Sequence, residues 1–70
     1  MYILYLHEIG YHRNLCVSES VEYLQDYLKN LPKYKILSED IFSDTGGNIV
    51  INYELRGYFE EARIEKIQTI

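Results

Sequence analysis

Val21, Leu24, Leu28 and Leu31 recur at helical spacing and are closed off by Pro32. No other apolar stripe in the chain does this. Residues three and four apart share a helix face, so the stripe predicts one amphipathic helix over residues 19–31. Ser18 reads as its N-cap, accepting from the free amides of the first turn. Glu19 and Glu22 follow where the helix dipole favours carboxylates, Lys29 falls in the last turn, and Pro32 ends the helix. A single helix covers only one face of a sheet. The other face must be polar or meet a partner.

The rest of the chain alternates instead. In residues 2–9, Tyr2, Leu4 and Leu6 fall on one face and Ile3, Tyr5, His7 and Ile9 on the other. Both faces are largely apolar, as in a central strand. Gly10 and the polar residues 11–14 read as its end. Residues 35–43 form a second strand. Asp44-Thr45-Gly46-Gly47-Asn48 is a turn, whose glycines supply the positive φ of a tight reversal. In residues 49–55, Ile49, Ile51, Tyr53 and Leu55 alternate with Val50, Asn52 and Glu54, the clearest strand pattern. Arg56-Gly57 is a further reversal. Residues 59–69 have helix-favouring composition, but Phe59, Ile64 and Ile67 do not gather on one helical face. A fourth strand is therefore the reading, with a short helix as the alternative.

The expected fold class is α+β, in two layers. One helix packs on a small, mainly antiparallel sheet, in the order β-α-β-β-β. Seventy residues suffice for one small domain, residues 1–70. With 47% hydrophobic and 26% charged residues, the composition is globular rather than disordered. The single cysteine, Cys16, excludes an internal disulfide and suits a reducing compartment. The N-terminal apolar run stops at Leu6, too short for a signal peptide, and no stretch approaches the ~20 apolar residues of a membrane helix. The expectation is a soluble, cytoplasmic protein without a membrane partner.

Several local patterns resemble reaction motifs and fail on spacing. His7-Glu8-Ile9-Gly10-Tyr11-His12 places its histidines five apart across a glycine. A zinc-protease helix needs them four apart, and no third ligand follows at a recognisable spacing. Asp44-Thr45-Gly46 is the tripeptide of aspartic proteases, but turn chemistry accounts for it here. Cys16 has no evident triad around it, and the Gly46–Gly47 pair has no phosphate-binding pattern. No catalytic residue, metal ligand or cofactor is therefore expected, and the chain reads as non-enzymatic. The eight tyrosines lack the basic neighbours of a base-stacking sheet, with Glu8, Glu54, Glu60 and Glu61 nearby instead. They suit packing or a protein interface.

Charge is the most informative pattern. The net charge of −4 argues against direct nucleic-acid binding, which needs surplus Lys and Arg. Acids come in blocks: Glu19, Glu22 and Asp26; then Glu39, Asp40 and Asp44; then Glu60 and Glu61. Lys29, Lys33 and Lys35 form a basic cluster between the first two. Glu22 and Asp26 are one helical turn apart, a spacing that mildly destabilises a helix and that stability alone would not select.

In size, acidity, tyrosine content and element order, the chain resembles small acidic proteins made by bacteriophages for host takeover. Some of those are DNA mimics that occupy the DNA-binding surface of a host protein such as the nucleoid protein HU. It departs from the most acidic mimics in its modest net charge and its lysine cluster. The resemblance implies a partner-binding surface of carboxylates, acting in the host cell cytoplasm. The candidate contacts are Glu19, Glu22, Asp26, Glu39, Asp40, Asp44, Glu60 and Glu61, each standing in for a phosphate before a basic nucleic-acid-binding protein. The alternative is a homodimeric or adaptor module that binds a host enzyme through a Tyr/Ile-rich sheet face.

Overall fold

The computed structural model describes residues 1–8, 10–56 and 61–67. Among them run β1 (Tyr2–Glu8), β2 (Tyr11–Ser18), α1 (Val21–Lys29), β3 (Ile36–Ser43), β4 (Ile49–Leu55) and β5 (Glu61–Lys66). The strands form one sheet in the order β2-β1-β5-β4-β3, with every neighbouring pair antiparallel. The two-layer α+β class holds.

The element order is β-β-α-β-β-β rather than β-α-β-β-β. Residues 11–14, read as the end of the first strand, instead begin a second one. They belong to an edge strand whose first half is solvent-exposed on both faces, so polar residues cost nothing there. Gly10, at φ +75°, makes the reversal. Leu15 is an extra residue between the Leu4–Cys16 and Tyr5–Asn14 pairs, a bulge that breaks the period-two pattern in mid-strand.

The helix is also shorter than the stripe suggested. Ser20, not Ser18, is its N-cap, with extended backbone and an Oγ that accepts from Tyr23 N at 3.2 Å. Ser18 Oγ accepts from Ser20 N at 3.1 Å, so it braces the link into the helix. Glu19 therefore precedes the helix. The turn of residues 44–48 and the strand of residues 49–55 are as expected, and the last segment is a strand. Gly57, Glu60 and both ends of that expected segment, Phe59 and Thr69, lie outside the described residues.

The core is one layer between α1 and one face of the sheet. Leu24 and Leu28 reach down from the helix onto Leu4 and Leu6 of β1, Ala62 and Ile64 of β5, and Ile51, Tyr53 and Leu55 of β4. Tyr2, Cys16, Val21, Tyr27, Leu31 and Ile36 close its rim. These sheet residues share one face by register: Leu4 pairs with Ile64, which pairs with Ile51, and Leu6 pairs with Ala62, which pairs with Tyr53. Their odd-even neighbours form the open face. Among the described residues there, Tyr5 and Val50 are nonetheless buried.

Candidate functional site

The predicted carboxylates divide between the two sides of the sheet. Glu22 and Asp26 are exposed on α1, opposite Leu24 and Leu28, and Glu19 is exposed just before the helix. Glu39 joins them from β3. It pairs with the core residue Tyr53, which puts it on the helix side, and its Oε2 accepts from Gln25 Nε2 at 3.5 Å. Asp40 pairs with Asn52 and lies on the open face. Glu61 is also there, between His7 on β1 and Glu54 on β4. Glu60 lies outside the described residues.

Asp44 has a local task. Its Oδ1 accepts from Gly46 N at 2.8 Å and Asn48 N at 2.9 Å, and its Oδ2 from Asn48 Nδ2 at 3.5 Å. The amide of Asn48 above all holds its carboxyl below the ordinary value. Gly47 completes the reversal at φ +79°.

Each flank of α1 carries polar groups beside apolar surface. On one, Tyr23 and Tyr27, with ring centroids 6.5 Å apart, line a groove of about 270 Å³ with Asp26, Asn30 and Leu31. On the other, Gln25 reaches across a seam to Glu39 of β3, which pairs with Tyr53 of β4. That residue is fully buried, and its hydroxyl has no hydrogen-bond partner. Glu39 and Gln25 are close enough to act on it, yet neither meets it in full bonding geometry. Burial first, and the Glu39 carboxylate second, push its pKa far above that of an ordinary phenol.

The open face is organised in cross-strand rows. One runs Asn14, Tyr5, Arg63, Asn52 and Asp40; the next runs His12, His7, Glu61, Glu54 and Ser38. Arg63 Nε donates to Asn52 Oδ1 at 3.4 Å. Burial, then Glu65, raises the Tyr5 hydroxyl pKa. A hollow of about 450 Å³ lies beside Tyr5 and His12, bounded also by Asp44, Glu65 and Lys66. Cys16 is on the other face, against the core, so the fold does not bring it to His7 and His12. Among the described residues, no group of three His, Cys, Asp or Glu side chains is placed to hold a metal ion. No helix among them is long and apolar enough to cross a membrane.

Gln25 and Tyr53 are the site residues that sequence reasoning missed. Tyr53 sits in the apolar row Ile49, Ile51, Tyr53, Leu55, and nothing in that pattern distinguishes a partnered hydroxyl from an orphaned one. Gln25 would have needed the knowledge that its side chain reaches Glu39 of β3.

Compared with known proteins, the chain matches no family model, no curated protein and no solved structure.

Proposed function

We propose that this protein is a non-enzymatic acidic binding module. Its helix-bearing side docks on the basic, nucleic-acid-binding surface of another protein and excludes the nucleic acid. The observation that carries this is the grouping of Glu19, Glu22, Asp26 and Glu39 on that side, with Glu22 and Asp26 directed to solvent one turn apart. The Tyr23–Tyr27 groove beside Asp26 adds aromatic faces, which attract Lys and Arg side chains and are common at protein interfaces. Asp40 and Glu61 lie on the opposite face and fall outside this contact set. Asp44 is occupied by its own turn. A nucleoid protein of the HU kind offers a suitable basic surface, and the place of action is then the host cytoplasm.

Carboxylates facing a basic surface speed association and select partners, and salt screens both effects. The test is capture of partners from bacterial lysate at ~0.1 M and ~1 M salt, where the screening length falls from ~10 Å to ~3 Å. The expected result is a basic nucleic-acid-binding protein, held only at low salt, displaced by duplex DNA, and lost with Glu22→Lys/Asp26→Lys. Capture that survives high salt and is indifferent to both DNA and the charge reversal overturns the reading.

A second reading has its own support in the open face, where Val17 and Phe42 are exposed. Docking there, by a second copy or an enzyme partner, predicts binding that ignores salt and, for a homodimer, a size that rises with concentration.

A further inference from the structure

Tyr53 is the one residue among those described whose buried side-chain polar atom lacks a hydrogen-bond partner. Burying a hydroxyl without a partner is unfavourable, and phenylalanine would fill the same space without that cost. Tyr53 pairs across the β3–β4 ladder with Glu39, which Gln25 of α1 meets, so the hydroxyl belongs to this seam. Glu39 faces it across the strand pair and is itself exposed. The Gln25–Glu39 hydrogen bond, at 3.5 Å, is at the long limit and easily exchanged. A buried acceptor, an exposed carboxylate and a weakly held amide thus lie together at one seam.

We propose that this seam receives the guanidinium of an arginine side chain carried by the partner. The proposal rests on the docking mode above and names the partner group that the helix-bearing side captures. Glu39 accepts two parallel N–H groups of the planar fork. As Gln25 swings off Glu39, the Tyr53 oxygen becomes open to a third N–H, and the Gln25 carbonyl is free to accept from the Tyr53 hydroxyl. Ile41, two residues along β3 and 61% exposed, supports the aliphatic stem. Glu22, one turn before Gln25 on α1, adds negative charge on the same side of the helix. A lysine ammonium is a compact point charge. It can pair with Glu39 but cannot span both acceptors.

The test is a titration of the isotope-labelled protein with a tri-arginine and, separately, a tri-lysine peptide, following the Gln25 side-chain amide and the Tyr53 ring by NMR. Tri-arginine is expected to shift both saturably and more tightly than tri-lysine. Tyr53→Phe should weaken tri-arginine about tenfold, as loss of one hydrogen bond to a charged group implies. Glu39→Gln should abolish the shifts. The backbone amide spectrum of each variant reports that the sheet is intact. Equal binding of the two peptides, or wild-type binding by Tyr53→Phe, overturns the seam assignment. If Glu22→Lys/Asp26→Lys still releases the lysate partner in that case, the docking mode stands and only the arginine site falls. If that variant also leaves capture unchanged, the docking mode itself has failed.

Discussion

The rings of Tyr5 and His12 stack on the sheet face that the helix leaves open, with centroids 4.4 Å apart and planes 17° from parallel. His12 Nε2 and Asn14 Oδ1 lie 2.8 Å apart, a hydrogen bond that fixes the imidazole over the phenol. This edge-strand histidine helps to keep Tyr5 at only 7% exposure. Replacing His12 with alanine uncovers the ring and should cost about 1 kcal/mol. His12→Phe should retain most of that. Urea unfolding of the three proteins, followed by far-ultraviolet circular dichroism, decides the matter. An unchanged midpoint in His12→Ala would mean that the stack contributes nothing.

The cap of α1 separates two serines of similar appearance. Ser20→Ala removes the acceptor of the Tyr23 amide and should cost about 1 kcal/mol. Ser18→Ala loses only the brace to the Ser20 amide and should cost less. Thermal melts of both variants rank them, and the reverse ranking would return the cap to Ser18.

Asp44 should make the β3–β4 turn sensitive to acid. Its folded-state carboxyl titrates below the ordinary 3.8, so its stabilising contribution is fully present above that pH. The contribution is lost as pH falls through the folded-state value. Asp44→Asn keeps an oxygen acceptor but cannot titrate. Protection of the Gly46 and Asn48 amides, taken relative to their intrinsic exchange rate at each pH, should fall in the wild type before it does in Asp44→Asn as the solution is acidified. Parallel profiles would show that the carboxylate is not what holds the turn.

Tyr53→Phe should fold at least as stably as the wild type, gaining up to about 1 kcal/mol, because the hydroxyl it removes is buried and unpaired. The folded state holds the Tyr53 proton more tightly than the unfolded chain, whose phenol titrates near 10.0. The sign follows: stability is intact below that pH and declines as pH rises toward the folded-state value. The variant should lose that component of alkaline unfolding. Urea midpoints at neutral pH and in strong base, compared between the two proteins, check both halves. A clear loss of stability at neutral pH would show that the hydroxyl has a partner in solution.

Residues that obey one period over several turns or pleats were legible in the sequence. Leu24 and Leu28 stand where the stripe put them, and Ile51, Tyr53 and Leu55 line the core as their alternation implied. What eluded reading was set by neighbours distant in sequence. The first half of β2 looks like a loop because its polar residues are tolerated only at a sheet edge, and Leu15 breaks its period. The acids looked like one surface because local blocks carry no information about sides. Glu39 and Asp40 are adjacent in sequence, yet the pleat sends one toward the helix and the other to the opposite face. Both also sit on the edge strand β3, where charged side chains discourage pairing with another copy.

The outer and middle pairings of the sheet differ in how they can be assembled. β1–β2 and β3–β4 are hairpins closed by short reversals and can form early, as separate local units. β5 joins them, with Leu4 on one side and Ile51 on the other of the same residue, Ile64. Until that last strand is available, the two hairpins share no backbone ladder, and the leucines of α1 have only part of a floor to rest on. During synthesis on a ribosome the sheet therefore closes only once β5 has emerged. Of the two β5 pairings, β4–β5 joins consecutive strands, whereas β1–β5 spans most of the sequence and is the slow kind of contact that leaves strand edges exposed in the interval.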